Sequence, residues 1–144
     1  MTIVDDLLAN PGLYLGIDRD ATSDFRGAAR IIIAPLPGNA GATIDYELFN
    51  PDDPDRVRGH IEHSIIARVH DGTNVLVTGH DHGASLAIMR ETEPGAFESA
   101  KEEPFPMKVV VSVPEPGKLR YAWWYGPADG DATERDVALL TRVE

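Results

Sequence analysis

The stretch from Gly59 to His82, GHIEHSIIARVHDGTNVLVTGHDH, contains two runs of alternating apolar and polar residues on either side of Asp71-Gly72. An Asp-Gly pair between two such runs is the strongest short-range signal for a β-hairpin. A two-residue turn at this position pairs His70 with Thr73 and places His63 directly opposite His80. We therefore predict a hairpin with two histidines at neighbouring positions on one face.

The two faces of this hairpin differ in charge. Because a buried face is usually the less charged one, we assign the face with His63 to the interior. Glu62 and Asp81 then lie on the opposite face, outside any cavity. The interior set on the first strand is Ile61, His63, Ile65, Ala67 and Val69, and the exterior set is His60, Glu62, Ser64, Ile66, Arg68 and His70.

Turn signals recur along the whole chain, which has 13 glycines and 11 prolines in 144 residues. Short alternating runs between such breakers predict an all-β fold, and none of the connections is long enough for a parallel crossover. We predict an antiparallel meander β-barrel of about ten strands, forming one domain over residues 1–144. The predicted strands are Gly12–Ile17, Ala28–Ala34, Ala42–Asn50, Gly59–His70, Thr73–His80, Ala84–Glu91, Ala96–Ala100, Met107–Val113, Lys118–Tyr125 and Glu134–Val143.

A short N-terminal helix is predicted before the first strand. Thr2 is a helix-capping residue with Asp5 at the capping-box position, and Asn10-Pro11-Gly12 ends the helix. Its apolar residues Ile3, Val4, Leu7 and Leu8 fall on one face. A helix of two turns is unstable alone, so we expect it to cover an open end of the barrel.

The hairpin before Tyr125 fits best with a three-residue loop, Pro114-Glu115-Pro116. This loop places the alternating residues Met107–Val113 on the same face as Tyr121 and Trp123. We predict that this face points inward and that Lys108, Lys118 and Arg120 point outward.

Composition excludes several classes of partner and chemistry. A formal net charge of −11 disfavours nucleic acid and anionic membrane surfaces. The chain has no cysteine, which excludes disulfides and thiolate chemistry. The N-terminal stretch has two acids, Asp5 and Asp6, where a signal peptide would carry positive charge, and no apolar run has membrane-spanning length. We expect a cytoplasmic protein.

Three histidines form a candidate metal site. In the predicted register His63 and His80 are neighbours, and His82 shares their face if the strand continues. Neutral imidazoles can bind transition metals such as Zn, Fe, Ni or Cu. Alternatively, His63 is a hydrogen-bonded core residue, with His80 and His82 in a solvated loop.

The run Tyr121-Ala122-Trp123-Trp124-Tyr125 places Tyr121, Trp123 and Tyr125 on one face. Aromatic walls with polar tips suit a planar or apolar ligand, although the same pattern is typical of core packing. Trp124 then faces outward, where an indole often marks a contact between two copies of a chain. A homodimer is one interpretation.

The segment Gly12-Leu13-Tyr14-Leu15-Gly16 is similar to the first strand of the calycin superfamily, with Tyr14 where tryptophan is usual. Arg142 in the last strand matches the arginine that packs across that aromatic residue. The resemblance implies a closed barrel with an internal cavity for a small molecule. The haem-binding branch has its axial histidine late in the chain, and no histidine follows His82, so haem is disfavoured.

The segment His80-Asp81-His82 beside Gly83 also resembles the histidine pair of cupins, which are jelly rolls. Cupins place a glutamate shortly after this pair, whereas the next glutamate here is Glu91, and the later cupin histidine is missing. A cupin-like jelly roll is the alternative fold.

Three functions are compatible with these patterns. The first is a barrel that binds a small, mostly apolar or aromatic ligand inside, lined by Tyr14, His63, Tyr121 and Trp123. The second is an isomerase, cyclase or metal-dependent lyase that uses His63, His80 and His82. The third is a structural or accessory subunit with a filled interior.

Overall fold

A computed structural model describes residues 2–52, 58–81, 83–100 and 105–144 of the protein. These residues form a helix, ten strands and a 3-10 turn at Pro37–Asn39 that the sequence patterns did not predict. The elements are α1 Ile3–Ala9, β1 Gly12–Asp20, β2 Arg26–Pro35, β3 Gly41–Phe49, β4 Arg58–Arg68, β5 Asn74–His80, β6 Ala87–Glu93, β7 Ala96–Ser99, β8 Met107–Ser112, β9 Lys118–Tyr125 and β10 Thr133–Arg142.

The ten strands form one closed antiparallel barrel. Each strand pairs with its neighbours in the sequence, and β1 pairs with β10 to close the ring. Closure removes the edge strands that an open sheet would expose. The predicted all-β meander is confirmed, and the jelly-roll alternative is wrong because no strand leaves the sequential order.

Helix α1 begins with the predicted capping box. The Thr2 hydroxyl accepts a hydrogen bond from the Asp5 backbone N–H at 3.3 Å, and the Asp5 carboxylate accepts one from the Thr2 N–H at 3.0 Å. Ile3, Val4 and Leu7 are buried in the core cluster. Among the described residues, no helix has the length and apolar character needed to cross a bilayer.

The helix covers one end of the barrel. It packs on β2, β3, β4 and β8, and the Asn10 side-chain oxygen accepts a hydrogen bond of 3.1 Å from the backbone N–H of Gly117, between β8 and β9. In a meander this is the end at which β1 begins and β8 finishes. We call it the closed end and the opposite end the open end.

The hairpin of β4 and β5 has a different register from the predicted one. Glu62 lies opposite His80, and His63 lies opposite Gly79. The backbone N–H of Val69 donates to the Thr73 carbonyl at 2.9 Å, which leaves a three-residue loop. Gly72 ends that loop with φ of +84°, a value that glycine adopts readily.

This one-residue difference reverses both faces of β4. Glu62, Ser64 and Ile66 point inward and are buried, whereas His63 is on the outer face. The sequence-based assignment of the β4 interior is therefore wrong.

The faces of β8 and β9 are as predicted. Met107, Val109 and Val111 are buried, and Tyr121 on the facing strand is 1% exposed. The pairing itself differs by two residues, since Met107 lies opposite Tyr125. A shift of two residues keeps every side chain on its own face.

Candidate functional site

A buried carboxylate, Glu62, lies at the centre of a polar network inside the barrel. Its side chain is fully buried, and both oxygens have several partners. Oxygen Oε1 accepts from Trp123 Nε1 at 2.8 Å and lies 3.3 Å from His60 Nε2. Oxygen Oε2 lies 2.9 Å from Ser64 Oγ, 3.0 Å from Thr78 Oγ1 and 3.1 Å from the Tyr121 hydroxyl, all of them possible donors. These contacts come from β4, β5 and β9 and hold the carboxylate in one position.

Glu62 and His60 form an ion pair. Burial raises the pKa of Glu62, but His60 and the hydrogen bonds from Trp123 and Ser64 outweigh it, and the pKa lies below its usual value. For His60, burial lowers the pKa, but Glu62 and Asp81 outweigh it and the pKa is raised. Both pKa shifts favour the charged forms, a carboxylate on Glu62 and an imidazolium on His60.

Both nitrogens of the His60 ring face carboxylates. Nε2 lies 3.3 Å from Glu62 Oε1, and Nδ1 lies 3.1 Å from Asp81 Oδ1. The His80 ring is 6.2 Å from the His60 ring and 5.9 Å from the Trp123 ring, measured between centroids. His60 therefore bridges two carboxylates, and neither of its ring nitrogens is directed at a substrate.

A second buried carboxylate, Asp18, projects inward from β1. It is 3% exposed, and its Oδ2 accepts a hydrogen bond of 2.6 Å from the Tyr46 hydroxyl. The other oxygen, Oδ1, is buried and has no hydrogen-bond partner among the residues described by the structure. Burial raises the pKa of Asp18 by more than the Tyr46 hydrogen bond lowers it.

Asp136 lies between two inward-facing neighbours. In the strand ladder it is opposite Asp20 on β1 and opposite Trp123 on β9. Burial, followed by the charges of Asp18 and Asp20, raises the pKa of Asp136 to about 6. Two carboxyl groups directly opposite each other destabilise a sheet, so this arrangement has no obvious structural purpose.

His60, Asp18 and Asp136 line a cavity of about 490 Å³. The cavity is at the open end of the barrel. Its lining residues lie near the last residues of β1, β3, β5 and β9 and near the first residues of β4, β8 and β10. Aromatic and aliphatic side chains supply most of the wall, and carboxylates and histidines supply the polar part. The lining residues are Asp18, Asp20, Phe25, Tyr46, Leu48, Gly59, His60, His80, Phe105, Met107, Trp123, Tyr125 and Asp136.

The four predicted lining residues lie in different places. Trp123 lines the cavity, and Tyr121 lies next to it in the buried network, bonded to Glu62. Tyr14 is buried next to the helix, where its hydroxyl donates to the Asn10 carbonyl at 2.8 Å. It does not line the cavity.

The prediction that His63 lines the interior is wrong. Its side chain is 73% exposed on the outer face, with Nδ1 2.7 Å from Asp45. His63 and His80 therefore lie on opposite faces, and His82 is outside the described residues, so the predicted three-histidine cluster does not form around His63 and His80. Within the described ranges, no three histidine, aspartate or glutamate side chains are grouped to hold a metal ion.

Sequence patterns missed the main polar residues of the site, which are His60, Glu62, Asp18, Tyr46 and Asp136. The β4 residues were missed only because the hairpin loop was taken to have two residues. A three-residue loop, like the one considered for the β8–β9 hairpin, places Glu62, Ser64 and Thr78 on one face. Asp18 shares a face with Tyr14 by alternation, but the predicted first strand ended at Ile17. The local sequence had no comparable signal for Asp136.

Solved structures with a similar fold span nearly the whole chain. The crystal structure of Rv2717c from M. tuberculosis matches with a TM-score of 0.65 and 14% identity over 98% of this chain and 97% of that one. The S-type phycobiliprotein lyase CPES from Guillardia theta matches with a TM-score of 0.61 and 10% identity over 100% of this chain and 94% of that one. By sequence, no family model and no curated protein matches. Both solved structures are calycin-like barrels, so the calycin-like resemblance is confirmed at the level of the fold.

Proposed function

We propose that this protein binds a small molecule with a mostly apolar or aromatic body in the cavity at the open end. The observation behind this proposal is a cavity of about 490 Å³ with aromatic and aliphatic walls and a few fixed polar groups. Sites for small ligands in proteins are usually concave, mostly apolar and of this size.

Burial of the ligand's apolar surface would drive binding, at about 25 cal/mol for each Å² removed from water. The rings of Phe25, Tyr46, Trp123 and Tyr125 border the cavity and offer surfaces for a planar ligand. The hydrogen bond from Trp123 to Glu62 fixes the indole before binding. A wall that is already ordered loses little entropy when the ligand arrives.

The other two functions have less support. A cavity of this volume does not fit a filled barrel, and the enzyme hypothesis relied on His63, which lies on the outer face. One structural neighbour is named as a phycobiliprotein lyase, and a ligand-binding role for this barrel is consistent with that neighbour.

Isothermal titration calorimetry with 2-(2-naphthyl)ethanol tests the proposal. We expect saturable binding with one site per chain, weakened at least about tenfold by Leu48→Trp, since Leu48 lines the cavity and an indole there would fill it. Leu139→Trp is the matched control, because Leu139 is 53% exposed on the outer face. Absence of binding, or equal effects of the two substitutions, would contradict the proposal.

A further inference from the structure

We propose that the ligand has a protonated nitrogen, such as an ammonium, an amidinium or an N-protonated heterocycle, and that Asp18 and Asp136 bind this group. The inference rests on the proposed function, since it specifies the ligand of the same cavity. It concerns the polar part of the wall, whereas the proposed function concerns the apolar part.

The first observation is the unused oxygen of Asp18. A carboxylate has room for about four hydrogen bonds, and a buried one without partners is costly. Tyr46 satisfies Oδ2, but Oδ1 has no partner within the described part of the chain although the side chain is 3% exposed and lines the cavity. Oδ1 is itself covered from solvent, so a small rotation of the carboxyl group would bring it to the cavity, where a ligand N–H would supply the missing donor.

The second observation is that two more carboxyl groups face the same cavity. Asp136 on β10 is in phase with the buried Ala138 and Leu140, and it lies opposite Asp20 on β1. Glu134 pairs with Trp124 and the next pair joins Asp136 to Trp123, so Arg135 is the extra residue of a β-bulge. Asp18, Asp20 and Asp136 all line the cavity.

Arg135 lies outside the cavity. Its guanidinium is 5.5 Å from the centre of the Tyr125 ring, and its Nε donates to the Tyr125 carbonyl at 3.4 Å. The cavity lining includes no lysine or arginine among the described residues.

The titratable groups that face Asp18 and Asp136 come from β1, β3, β4 and β9. Tyr46 on β3 donates a hydrogen bond to Asp18 Oδ2. Asp20 on β1 lies across from Asp136, His60 on β4 acts on both carboxyl groups, and the Tyr125 hydroxyl on β9 lies 3.4 Å from Asp136 Oδ2. The positive charge of His60 is largely offset by Glu62 and Asp81. His80 also borders the cavity. The remaining excess is negative and attracts a cation.

The raised pKa of Asp136 makes this site dependent on pH. Burial first, and then repulsion from Asp18 and Asp20, raises that pKa, so part of the negative charge is lost in mildly acidic solution. A bound cation relieves the repulsion and favours the ionised form. We therefore expect a cationic ligand to bind more tightly as the pH rises through the pKa of Asp136.

The test compares three probes with the same ring system: 2-(2-naphthyl)ethylamine, 2-(2-naphthyl)ethanol and 2-naphthylacetate. In calorimetry at about pH 7.5 we expect the amine to bind about tenfold more tightly than the alcohol, and the carboxylate to bind more weakly than either, since hydrogen bonds to charged groups are stronger than neutral ones. The amine's advantage should decrease at about pH 5, where the amine is still protonated but Asp136 is largely not ionised.

Two substitutions locate the effect. Asp18→Asn keeps an acceptor for Tyr46 but removes the charge, and it should abolish the preference for the amine. Asp136→Asn should reduce that preference and remove its dependence on pH, and it serves as the second test if Asp18→Asn does not fold. Asp45→Asn is the matched control, because Asp45 lies opposite His63 on the outer face and its loss should change nothing in the cavity.

The possible outcomes separate the two proposals. Equal affinity for the amine and the alcohol would overturn the cation site but leave the proposed function intact. A preference that survives both Asp18→Asn and Asp136→Asn would also overturn it. If none of the three probes binds, the proposed function fails and the cation site fails with it.

Discussion

The two ends of the barrel are built on different principles. At the closed end, Ile3, Val4 and Leu7 of the helix are buried against apolar strand residues, and the Tyr14 hydroxyl has a backbone partner. At the open end, the carboxylates of Asp18 and Glu62 are buried and His60 is partly buried, beside a cavity of about 490 Å³. The closed end follows the usual rules of core packing, and the open end departs from them. Such departures in an otherwise regular fold are expected at functional sites.

The difference also concerns how each end is held together. Apolar packing stabilises the closed end through many weak contacts. At the open end, five side chains converge on one carboxylate, Glu62, and the structure depends on that single acceptor. Substitutions at the two ends should therefore differ in size and in their effect on binding.

The largest expected loss of stability is that caused by Glu62→Leu at the open end. It leaves the His60 imidazolium and the donors of Trp123 and Tyr121 without their acceptor, and breaking a buried pair in this way costs about 3–5 kcal/mol. Urea unfolding measures the loss. The double substitution His60→Leu/Glu62→Leu should be less destabilising than Glu62→Leu alone, because no uncompensated cation remains. A single substitution that costs nothing would show that the network is not structural.

The second effect is that of Leu7→Ala at the closed end. Leu7 is fully buried, and replacing a buried leucine by alanine costs about 2–4 kcal/mol. Because the cavity is at the other end, the affinity for 2-(2-naphthyl)ethanol should stay within about twofold of the original at temperatures where the protein is folded. A large loss of affinity in calorimetry would show that the two ends are coupled.

The third effect is that of Thr2→Ala in the capping box. It removes the hydroxyl that accepts the Asp5 N–H, which should destabilise the protein by about 1 kcal/mol in thermal unfolding. Thr2→Ser keeps the hydroxyl and should behave like the original protein. If both variants lose the same stability, the cap is not the cause.

The smallest expected effect is the dependence of stability on pH that Asp136 causes. Its pKa is raised from 3.8 to about 6 on folding, so the folded state holds its proton more tightly than the unfolded state. The contribution of Asp136 to stability is therefore fully present below about pH 3.8 and is lost as the pH rises to about 6. The side chain is partly exposed, and solvent screening keeps the effect small.

Asp136→Asn removes the titrating carboxyl group, so the variant does not lose this stability as the pH rises. Denaturant unfolding of both proteins should show Asp136→Asn gaining stability relative to the original between about pH 4 and pH 6, with a constant difference above that range. The difference between the two proteins isolates Asp136 from the opposing changes at Glu62 and His60. A difference that does not vary with pH would contradict the raised pKa.

Local sequence signals were sufficient for the strands and the helix. Turn residues and alternation predicted all ten strands, with Lys118–Tyr125 matching β9 at both bounds, and the capping box predicted the start of α1. The β8–β9 faces were predicted correctly despite an error of two residues, because side chains alternate with a period of two.

The same alternation explains why the site was missed. One extra residue in the loop after Val69 reversed β4, and the rule that the less charged face is buried favoured the wrong choice. That rule fails here because His60 compensates the charge of Glu62, and Tyr121 and Trp123, about 60 residues later, bond to its carboxylate. Asp136 faces inward in phase with the buried Ala138 and Leu140, but Val137, Ala138, Leu139 and Leu140 are all apolar, so alternation alone does not identify the inner face of β10.

Two adjacent tryptophans allow a direct test of the central claim that the open end is a ligand cavity. Trp123 lines this cavity, whereas Trp124 lies on the outer face with Lys108 Nζ 4.9 Å from the centre of its ring. The measurement is a titration with 2-(2-naphthyl)ethanol followed by the two indole N–H signals in ¹H–¹⁵N NMR spectra. We predict a saturable shift of the Trp123 signal at one ligand per chain, with Trp124 unchanged. No saturable change at Trp123, or a change at Trp124 alone, would contradict the account.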